Sequence, residues 1–369
     1  SLKKLGTINL IGEAQVTTTS LDARFDMTTQ LGKVNSDLSI ENMQLSDKAS
    51  YVGNIVLDNF DLGALLDRKD IGKTSLNLDV IGTGFSEKYL NTSMEGVVSQ
   101  INYNNYTYGN VVLNGNFNKG LYKGEVSVND PNLKMHFDGL VDLSKKESRY
   151  DFHVTVENSD LRKLHFMKDS ISIFKGDIVA QVSGNSIDNL KGDVFINETT
   201  YQNAKATYVF DDFYIKSSFD ENDVRTINVN SHDIIEGEVV GKYEYKQLQN
   251  LVMNSLGSLY ANYKPTKVKK GQFLKFNFTI YNKIIEIFYP DLSIAANTIV
   301  KGNINSDNQE FKLNFNSPKI TASTNTFDNI RIKIDNKNPL YNAYVEMDSI
   351  KTKHYKIRDF SLINVTMKD

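Results

Sequence analysis

The chain alternates apolar and polar residues over short runs that recur along its length. Between residues 150 and 157, for example, Phe152 and Val154 alternate with Asp151, His153 and Thr155. This two-residue period is typical of a β-strand with one buried and one solvated face. The same alternation occurs at Leu76, Leu78 and Val80, at Leu133, Met135 and Phe137, at Phe276, Phe278 and Ile280, at Phe311, Leu313 and Phe315, and at Ile330, Ile332 and Ile334.

The strand-like runs are separated by clusters of Gly, Asn, Asp and Ser, such as those at 118–120, 129–132 and 336–339. These residues supply the positive φ angles and local hydrogen bonds of tight turns. At this spacing the chain has room for roughly 25 strands. The sequence therefore predicts an all-β protein of many short antiparallel strands whose apolar residues share one face.

Helical signals are few. Two short helical turns are predicted at 61–66 and 160–164, where Asp61 and Asp160 follow a strand and can cap the first amides. A longer helix is predicted at 245–260 and a short one at 282–288, ended by Pro290. We interpret the two later helices as covers for an edge or mouth of the sheet, and a plug or partner-binding element is the alternative.

No linker divides the chain of 369 residues, and its composition changes little along its length. We predict a single elongated array over 1–369 with a helical insertion at 245–289. A closed sandwich stops growing at roughly 250 residues, and the intervals between strand units are too irregular for a β-helix. The prediction is an open β-trough whose apolar face is concave.

Composition excludes several functions. The net charge of −3 gives no electrostatic footprint for nucleic acid, and the short basic run at Lys267, Lys269 and Lys270 is typical of a solvated turn. Without cysteine there is no thiolate metal site or Cys nucleophile. His136 and His153 occupy polar positions of strands. The sequence contains no hydrolase or phosphate-binding motif, and the spacing of the acidic cluster at 211–223 matches no calcium-binding loop. We expect neither catalysis nor a cofactor or metal.

One segment resembles a known family. The run 122–143 reads YKGEVSVNDPNLKMHFDGLVDL and continues into the strand at 150–152 and the Asn-Ser-Asp-Leu motif at 158–161. It is similar to a unit of the TamB proteins of Bacteroidota, which belong to the AsmA-like group and are akin to bridge-like lipid-transfer proteins. The resemblance extends through the chain, although each motif is only a strand, a turn and a glycine.

The resemblance implies a taco-shaped sheet that conducts phospholipid across the periplasm of a Gram-negative envelope and supports outer-membrane biogenesis. It also implies an inner-membrane anchor at one end and, at the other, a domain that meets an outer-membrane barrel of the TamA or BamA type. Strand-like sequence at 5–11 and 362–367 fits a piece of such a longer chain.

The candidate function is therefore a conduit that binds phospholipid acyl chains in an apolar groove, because a uniform apolar lining offers similar affinity at each step. The alternative is a structural or adhesive extracellular β-protein with a closed core. The residues predicted to line the groove are Leu78, Val128, Met135, Phe137, Phe152, Val154, Phe276, Phe278, Leu313, Phe315 and Ile332.

Overall fold

The structure is a computed structural model that describes residues 2–45, 47–86, 88–168, 171–260, 262–281, 283–289 and 291–366. It is all-β: 62% of the residues lie in strands and 7% in helices, which confirms the predicted fold class. The 23 strands form one antiparallel sheet that is not closed into a barrel.

The chain divides into two compact units, Ser1–Ser183 with Thr199–Thr207, and Gly184–Glu198 with Tyr208–Asp369. In the first unit a 3-10 turn at Leu2–Leu5 precedes the strands, and α1 (Leu62–Leu66) follows β4. Its strands are β1 (Asn9–Val16), β2 (Ser20–Thr28), β3 (Lys33–Glu41), β4 (Ser50–Asp61), β5 (Ile71–Thr83), β6 (Asn91–Tyr103), β7 (Tyr106–Asn118), β8 (Leu121–Asp130), β9 (Leu133–Asp142), β10 (Arg149–Asp160) and β11 (Ser172–Ser183).

Each of the first ten of these strands pairs antiparallel with the next one along the chain. Local turn chemistry explains the meander. Asn104 and Asn105, for example, form the two-residue turn between β6 and β7, with φ angles of 48° and 64°. Asparagine tolerates this left-handed conformation, and the twist of such a turn matches that of the paired strands.

The two predicted helical turns differ. The Asp61 carboxylate accepts a hydrogen bond of 2.8 Å from the Ala64 amide and caps α1, as predicted. The Asp160 carboxylate likewise accepts one of 3.1 Å from the Lys163 amide, but residues 161–165 form hydrogen-bonded turns and no helix. At both sites the preceding strand carries an irregularity in register, so the two segments share a bulge and a cap.

The strands β12 (Lys191–Asn203) and β13 (Thr207–Val209) contribute residues to both units. The remaining elements belong to the second unit. They are β14 (Phe213–Phe219), β15 (Arg225–Ser231), β16 (Ile235–Lys242), α2 (Leu248–Gly257), β17 (Phe273–Ile280), α3 (Lys283–Phe288), β18 (Leu292–Ile294), β19 (Thr298–Asn305), β20 (Glu310–Ala322), β21 (Asn325–Asp335), β22 (Ala343–Lys351) and β23 (Lys356–Asn364).

The second unit is also an antiparallel meander, running from β14 through β17 and from β19 through β23. The first part of β12 pairs with β14, β17 pairs with β19, and the short β18 adds to β20. A sheet built in this way brings sequence neighbours together, so long-range order follows from successive hairpins.

The predicted helix at 245–260 is shorter in the structure. It begins as a 3-10 turn at Tyr245–Gln247, continues as α2 and ends at Gly257, beyond which 258–260 are turn residues. The helix predicted at 282–288 is α3; Asn282 and Pro290 lie outside the described residues. Because β17 lies between α2 and α3, the segment 245–289 is not helical throughout.

The strand predicted at 5–11 is wrong at its start, because Leu2–Leu5 form a 3-10 turn and β1 begins only at Asn9. The strand predicted at 362–367 is the end of β23, which stops at Asn364, and position 367 lies outside the described residues.

Candidate functional site

The apolar residues of the first unit form continuous rows that cross its sheet. Residues directly opposite each other in antiparallel strands have side chains on the same face, so the registers can be followed from strand to strand. The central row crosses all eleven strands at Gly12, Phe25, Ser36, Ile55, Leu78, Gly96, Leu113, Val126, Phe137, Val154 and Ile178.

Three further rows lie on the same face, and each row is displaced along the strands by two residues from the row next to it. The second row lies on one side of the central row, and the third and fourth rows lie on the other side. The second row holds Leu10, Met27, Val34, Leu57, Leu76, Val98, Val111, Val128, Met135, Val156 and Gly176. The third row holds Ala14, Ala23, Leu38, Gly53, Val80, Met94, Gly115, Gly124, Gly139, Phe152 and Ala180. The fourth row holds Val16, Leu21, Ile40, Tyr51, Gly82, Thr92, Phe117, Tyr122, Val141, Tyr150 and Val182.

None of these forty-four positions carries a charged residue, and only Ser36 and Thr92 are neither apolar, aromatic nor glycine. Both polar side chains are satisfied: the Ser36 hydroxyl donates to the Asn54 carbonyl oxygen at 2.9 Å, and the Thr92 hydroxyl bonds the Tyr51 hydroxyl. The four rows therefore form a continuous apolar surface, which we call the first apolar face.

The reverse side of the same strands is polar. One row there reads Glu13, Arg24, Asp37, Asn54, Asp79, Glu95, Asn114, Glu125, Asp138, His153 and Val179. Charges such as Arg24 and Asp37 form exposed ion pairs across neighbouring strands, with a separation of 2.6 Å in this case. This side is solvated and also carries scattered exposed valines such as Val97 and Val112, so the alternation in the sequence marks the predominantly polar side.

Exposure differs between the two sides of the sheet in the first unit. Val112 on the polar side is 49% exposed, whereas Val128, one strand away on the first apolar face, is 8% exposed. Among the described residues of this unit, the extensive contacts join neighbouring strands, and those of α1 are with β5 and the 3-10 turn. The apolar side chains of neighbouring strands therefore shield one another across most of the first apolar face, without a covering layer.

The total surface agrees with a sheet that is largely uncovered. The chain exposes 22388 Å², whereas two compact proteins that share its mass would together expose about 18,000 Å². Most residues of the first apolar face are half-buried, which is the exposure expected of a lining and not of a closed core.

The second unit repeats this pattern. One row holds Val194, Ile215, Val229, Gly237, Phe278, Val300, Phe315, Ile332, Val345 and Leu362. The next row holds Gly192, Ser217, Ile227, Val239, Phe276, Gly302, Leu313, Ile334, Ala343 and Asn364. We call this surface the second apolar face.

Part of the second apolar face is covered by α2. Leu251 of α2 is 2% exposed and packs in a buried cluster with Ile304, Phe311, Ile334 and Ala343 of the sheet. The Thr366 hydroxyl, beyond the last strand, anchors this region by donating to the Leu259 carbonyl oxygen at 2.7 Å. Within α2, the Ser255 hydroxyl donates to the Leu251 carbonyl oxygen at 2.7 Å. This cover agrees with the interpretation drawn from the helical pattern.

The structure places all eleven predicted lining residues on the apolar face of their own unit. Those of the first unit lie in its first three rows, and those of the second unit lie in its two rows. Val128 is buried and the other ten are half-buried. Phe276, Leu313 and Ile332 also pack against the cluster beneath α2.

The sequence reasoning missed the glycines of the rows. A Cβ atom at Gly302 would lie 2.7 Å from the Phe276 ring, and one at Gly237 would lie 2.7 Å from the Phe278 ring. The rings of one strand thus lie over glycines of the next, which keeps the lining smooth. The sequence did contain a signal for them: these glycines lie two residues from apolar residues of the same strand, which places them on the apolar face.

The aromatic lining is continuous in the middle of the first unit. The ring centroids of Phe137 and Phe152 are 5.6 Å apart, and those of Tyr122 and Phe137 are 6.4 Å apart. Burial raises the pKa of the Tyr122 phenol, and the nearby Glu125 carboxylate raises it further. The Tyr122 phenol therefore stays neutral near pH 7 and adds no charge to the lining.

Other candidate chemistry has local explanations. His136 and His153 lie on the polar side, where His153 Nε2 is 2.6 Å from an Asp177 carboxylate oxygen. In the acidic cluster, the Asp220 carboxylate accepts hydrogen bonds from the Asn222 and Val224 amides and so closes a turn. Within the described ranges, no group of three His, Cys, Asp or Glu side chains could hold a metal ion.

No helix in the described part of the chain is long and apolar enough to cross a membrane. No family model, no curated protein and no solved structure matches this chain.

Proposed function

We propose that the two apolar faces bind the acyl chains of phospholipids and that lipid moves along them from strand to strand. The observation that carries the proposal is the first apolar face: four adjacent rows cross eleven strands without a single charged residue. Soluble proteins rarely leave so large an apolar surface without a partner. A ligand made largely of hydrocarbon is the partner that such a surface favours.

The dimensions suit this ligand. Eleven strands at about 4.8 Å spacing extend the rows over about 48 Å, and four rows cover about 20 Å along the strands. An acyl chain that fills one leaflet of a bilayer is about 15 Å long. The first apolar face therefore has room for several chains side by side.

The energetics suit transport as well as binding. Each buried methylene contributes about 0.8 kcal/mol, so a chain of about 16 carbons gains roughly 10 kcal/mol in a dry groove. Because every strand contributes uncharged and almost entirely apolar or glycine residues to the rows, no strand offers a charged anchor that would trap the lipid. Head groups remain in water along the open side of the sheet.

The resemblance to TamB proteins suggests the setting. We propose the periplasm of a Gram-negative envelope, with an inner-membrane anchor and an outer-membrane barrel of the TamA or BamA type as partners of the longer protein. The proposed activity is binding and conveyance without covalent chemistry, so we propose no catalytic residue and no cofactor.

A matched pair of variants tests the proposal. Val154 lies in the central row of the first apolar face, and Val179 lies on the polar side of the adjacent strand. We expect the wild-type chain, purified without detergent, to yield stoichiometric phospholipid on solvent extraction and mass spectrometry. Val154→Asp should lose most of this lipid and Val179→Asp should keep it, because a carboxylate in hydrocarbon costs several kcal/mol.

The cluster beneath α2 favours a second candidate, a structural or adhesive protein whose apolar faces are closed by other elements. That candidate predicts no stoichiometric phospholipid in the wild-type extract. It also predicts that Val154→Asp unfolds the first unit, since the new charge would lie in a core.

A further inference from the structure

The segment around α2 has an unusual charge distribution. Positions 245–285 contain no Asp or Glu and seven lysines, although the whole chain has 45 acidic and 42 basic residues. Glu244 precedes the segment and Glu286 follows it. The chain as a whole is weakly acidic, so this stretch is a local region of positive charge.

Several of these lysines are free to meet an external anion. Lys269 pairs with Glu244, with Nζ 2.6 Å from the carboxylate oxygen. In the described part of the chain, Lys264, Lys267 and Lys270 have no carboxylate within ion-pair distance, and all three are exposed. Together they give the loop 262–270 a positive charge that the protein itself does not neutralise.

The helix beside this loop has two apolar sides. Leu251 is buried against the sheet, and Ser255, one helical turn further on, is also buried. On the other side Val252, Met253 and Leu256 follow one another at helical spacing and are exposed, Met253 by 50%. Tyr260, in the turn after the helix, adds a fourth large apolar side chain that is 72% exposed. We call these four residues the outer stripe.

Tyr260, the last residue of the outer stripe, meets the loop at one cavity. This cavity of about 420 Å³ lies between α2, the loop and the turn after β19, and its lining includes Tyr260, Tyr263, Pro265 and Lys267. A lysine and the end of the apolar stripe therefore share one opening. A helix that is apolar on both sides normally has a partner on each, and the sheet provides only one.

We propose that the outer stripe and the loop 262–270 dock on the surface of an anionic lipid bilayer. Lysines attract anionic head groups, while Val, Met, Leu and Tyr side chains enter the boundary between head groups and acyl chains. Charge complementarity selects this partner, because a neutral or cationic surface would gain nothing from the lysines. The inference goes beyond the lipid-binding groove and does not depend on it.

Vesicle flotation with the full chain tests the proposal. We expect binding to vesicles of phosphatidylcholine with 30% phosphatidylglycerol (about one lipid in three), weaker binding at high salt, and little binding to pure phosphatidylcholine. Each lysine near an anionic surface contributes about a fivefold factor in affinity, so Lys264→Gln, Lys267→Gln and Lys270→Gln combined should weaken binding about 100-fold. The matched control combines Lys301→Gln, Lys333→Gln and Lys353→Gln, which remove three other exposed lysines of the same unit.

A second variant tests the apolar part. Met253→Asp changes an exposed side chain, so circular dichroism should show an unchanged fold while vesicle binding falls at least tenfold. Equal binding by the wild type to neutral vesicles, or undiminished binding by both variants, would overturn the proposal. So would sedimentation that shows a wild-type dimer and a Met253→Asp monomer, because the outer stripe would then contact a second copy. Loss of lipid from the groove leaves this result unaffected, so the two proposals can fail separately.

Discussion

A charge placed in the centre of the first apolar face distinguishes an open lining from a closed core. Phe137 lies in the central row, directly opposite Val126 on one side and Val154 on the other. Its ring is half-buried and packs near the rings of Tyr122 and Phe152. Phe137→Asp removes these contacts and puts a carboxylate where acyl chains are proposed to lie.

The cost follows from the exposure. Losing a half-buried Phe side chain costs about 1 to 1.5 kcal/mol of apolar burial, and losing the ring contacts costs about 1 kcal/mol more. On an open face the new carboxylate stays hydrated, so the total destabilisation should be about 2 kcal/mol. In a closed core the unpaired charge adds about 3 to 5 kcal/mol, which is enough to unfold many domains.

Thermal unfolding followed by circular dichroism, together with measurement of co-purified phospholipid, provides the assay. Val112→Asp is the control, because it puts the same charge on the polar side of the same unit, at an exposed valine. We expect both variants to fold and only Phe137→Asp to lose its lipid. Unfolding of Phe137→Asp at room temperature, with Val112→Asp intact, would refute the open face.

Two further substitutions test the packing and the electrostatics. Gly237→Ala should destabilise the second unit by about 2 kcal/mol in chemical denaturation, because Gly237 has a φ of +146° and a Cβ atom there would meet the Phe278 ring. Gly109→Ala is the control and should be nearly neutral, because the atoms nearest to a Cβ at that position lie 3.7 Å away. Hydrogen bonding by the Ser349 hydroxyl, and then by the Lys351 ammonium, lowers the pKa of Asp328. A depressed pKa stabilises the fold above the ordinary pKa of the carboxyl, so Asp328→Asn should cost about 1 kcal/mol at pH 7. This difference should shrink as the pH falls below about 4, and a difference that persisted at pH 2 would contradict it.

The sequence predicted on which face of the sheet a residue lies better than it predicted which residues lie opposite it on the neighbouring strands. Alternation depends only on the two-residue period of a strand, so the side to which Phe152 or Phe278 points could be read locally. The strands that meet it could not, because register depends on turn lengths and on the bulges near Asn59 and Asn158. For this reason the continuous rows became visible only in the structure.

Helix boundaries show a similar limit. Asp61 and Asp160 follow equivalent motifs and both cap a turn, but only the first is followed by a helix. In α2 the apolar spacing extends to Leu259, whereas the helix ends at Gly257, a residue with low helical propensity. The basic run at 267–270 lies in a loop with its three lysines exposed, as the sequence predicted. The apolar stripe beside it could not be predicted, because it depends on which side of α2 meets the sheet.

The central claim is that hydrocarbon chains contact one face of the sheet and not the other. Photo-crosslinking in intact cells tests it directly, with benzoylphenylalanine placed at Phe152 and Phe278 on the apolar faces and at Val97 and Asn277 on the polar sides. We predict phospholipid adducts, identified by mass spectrometry of the purified chain, at Phe152 and Phe278 alone. Adducts at all four positions, or at none of them while the chain is folded, would contradict a lipid-lined face.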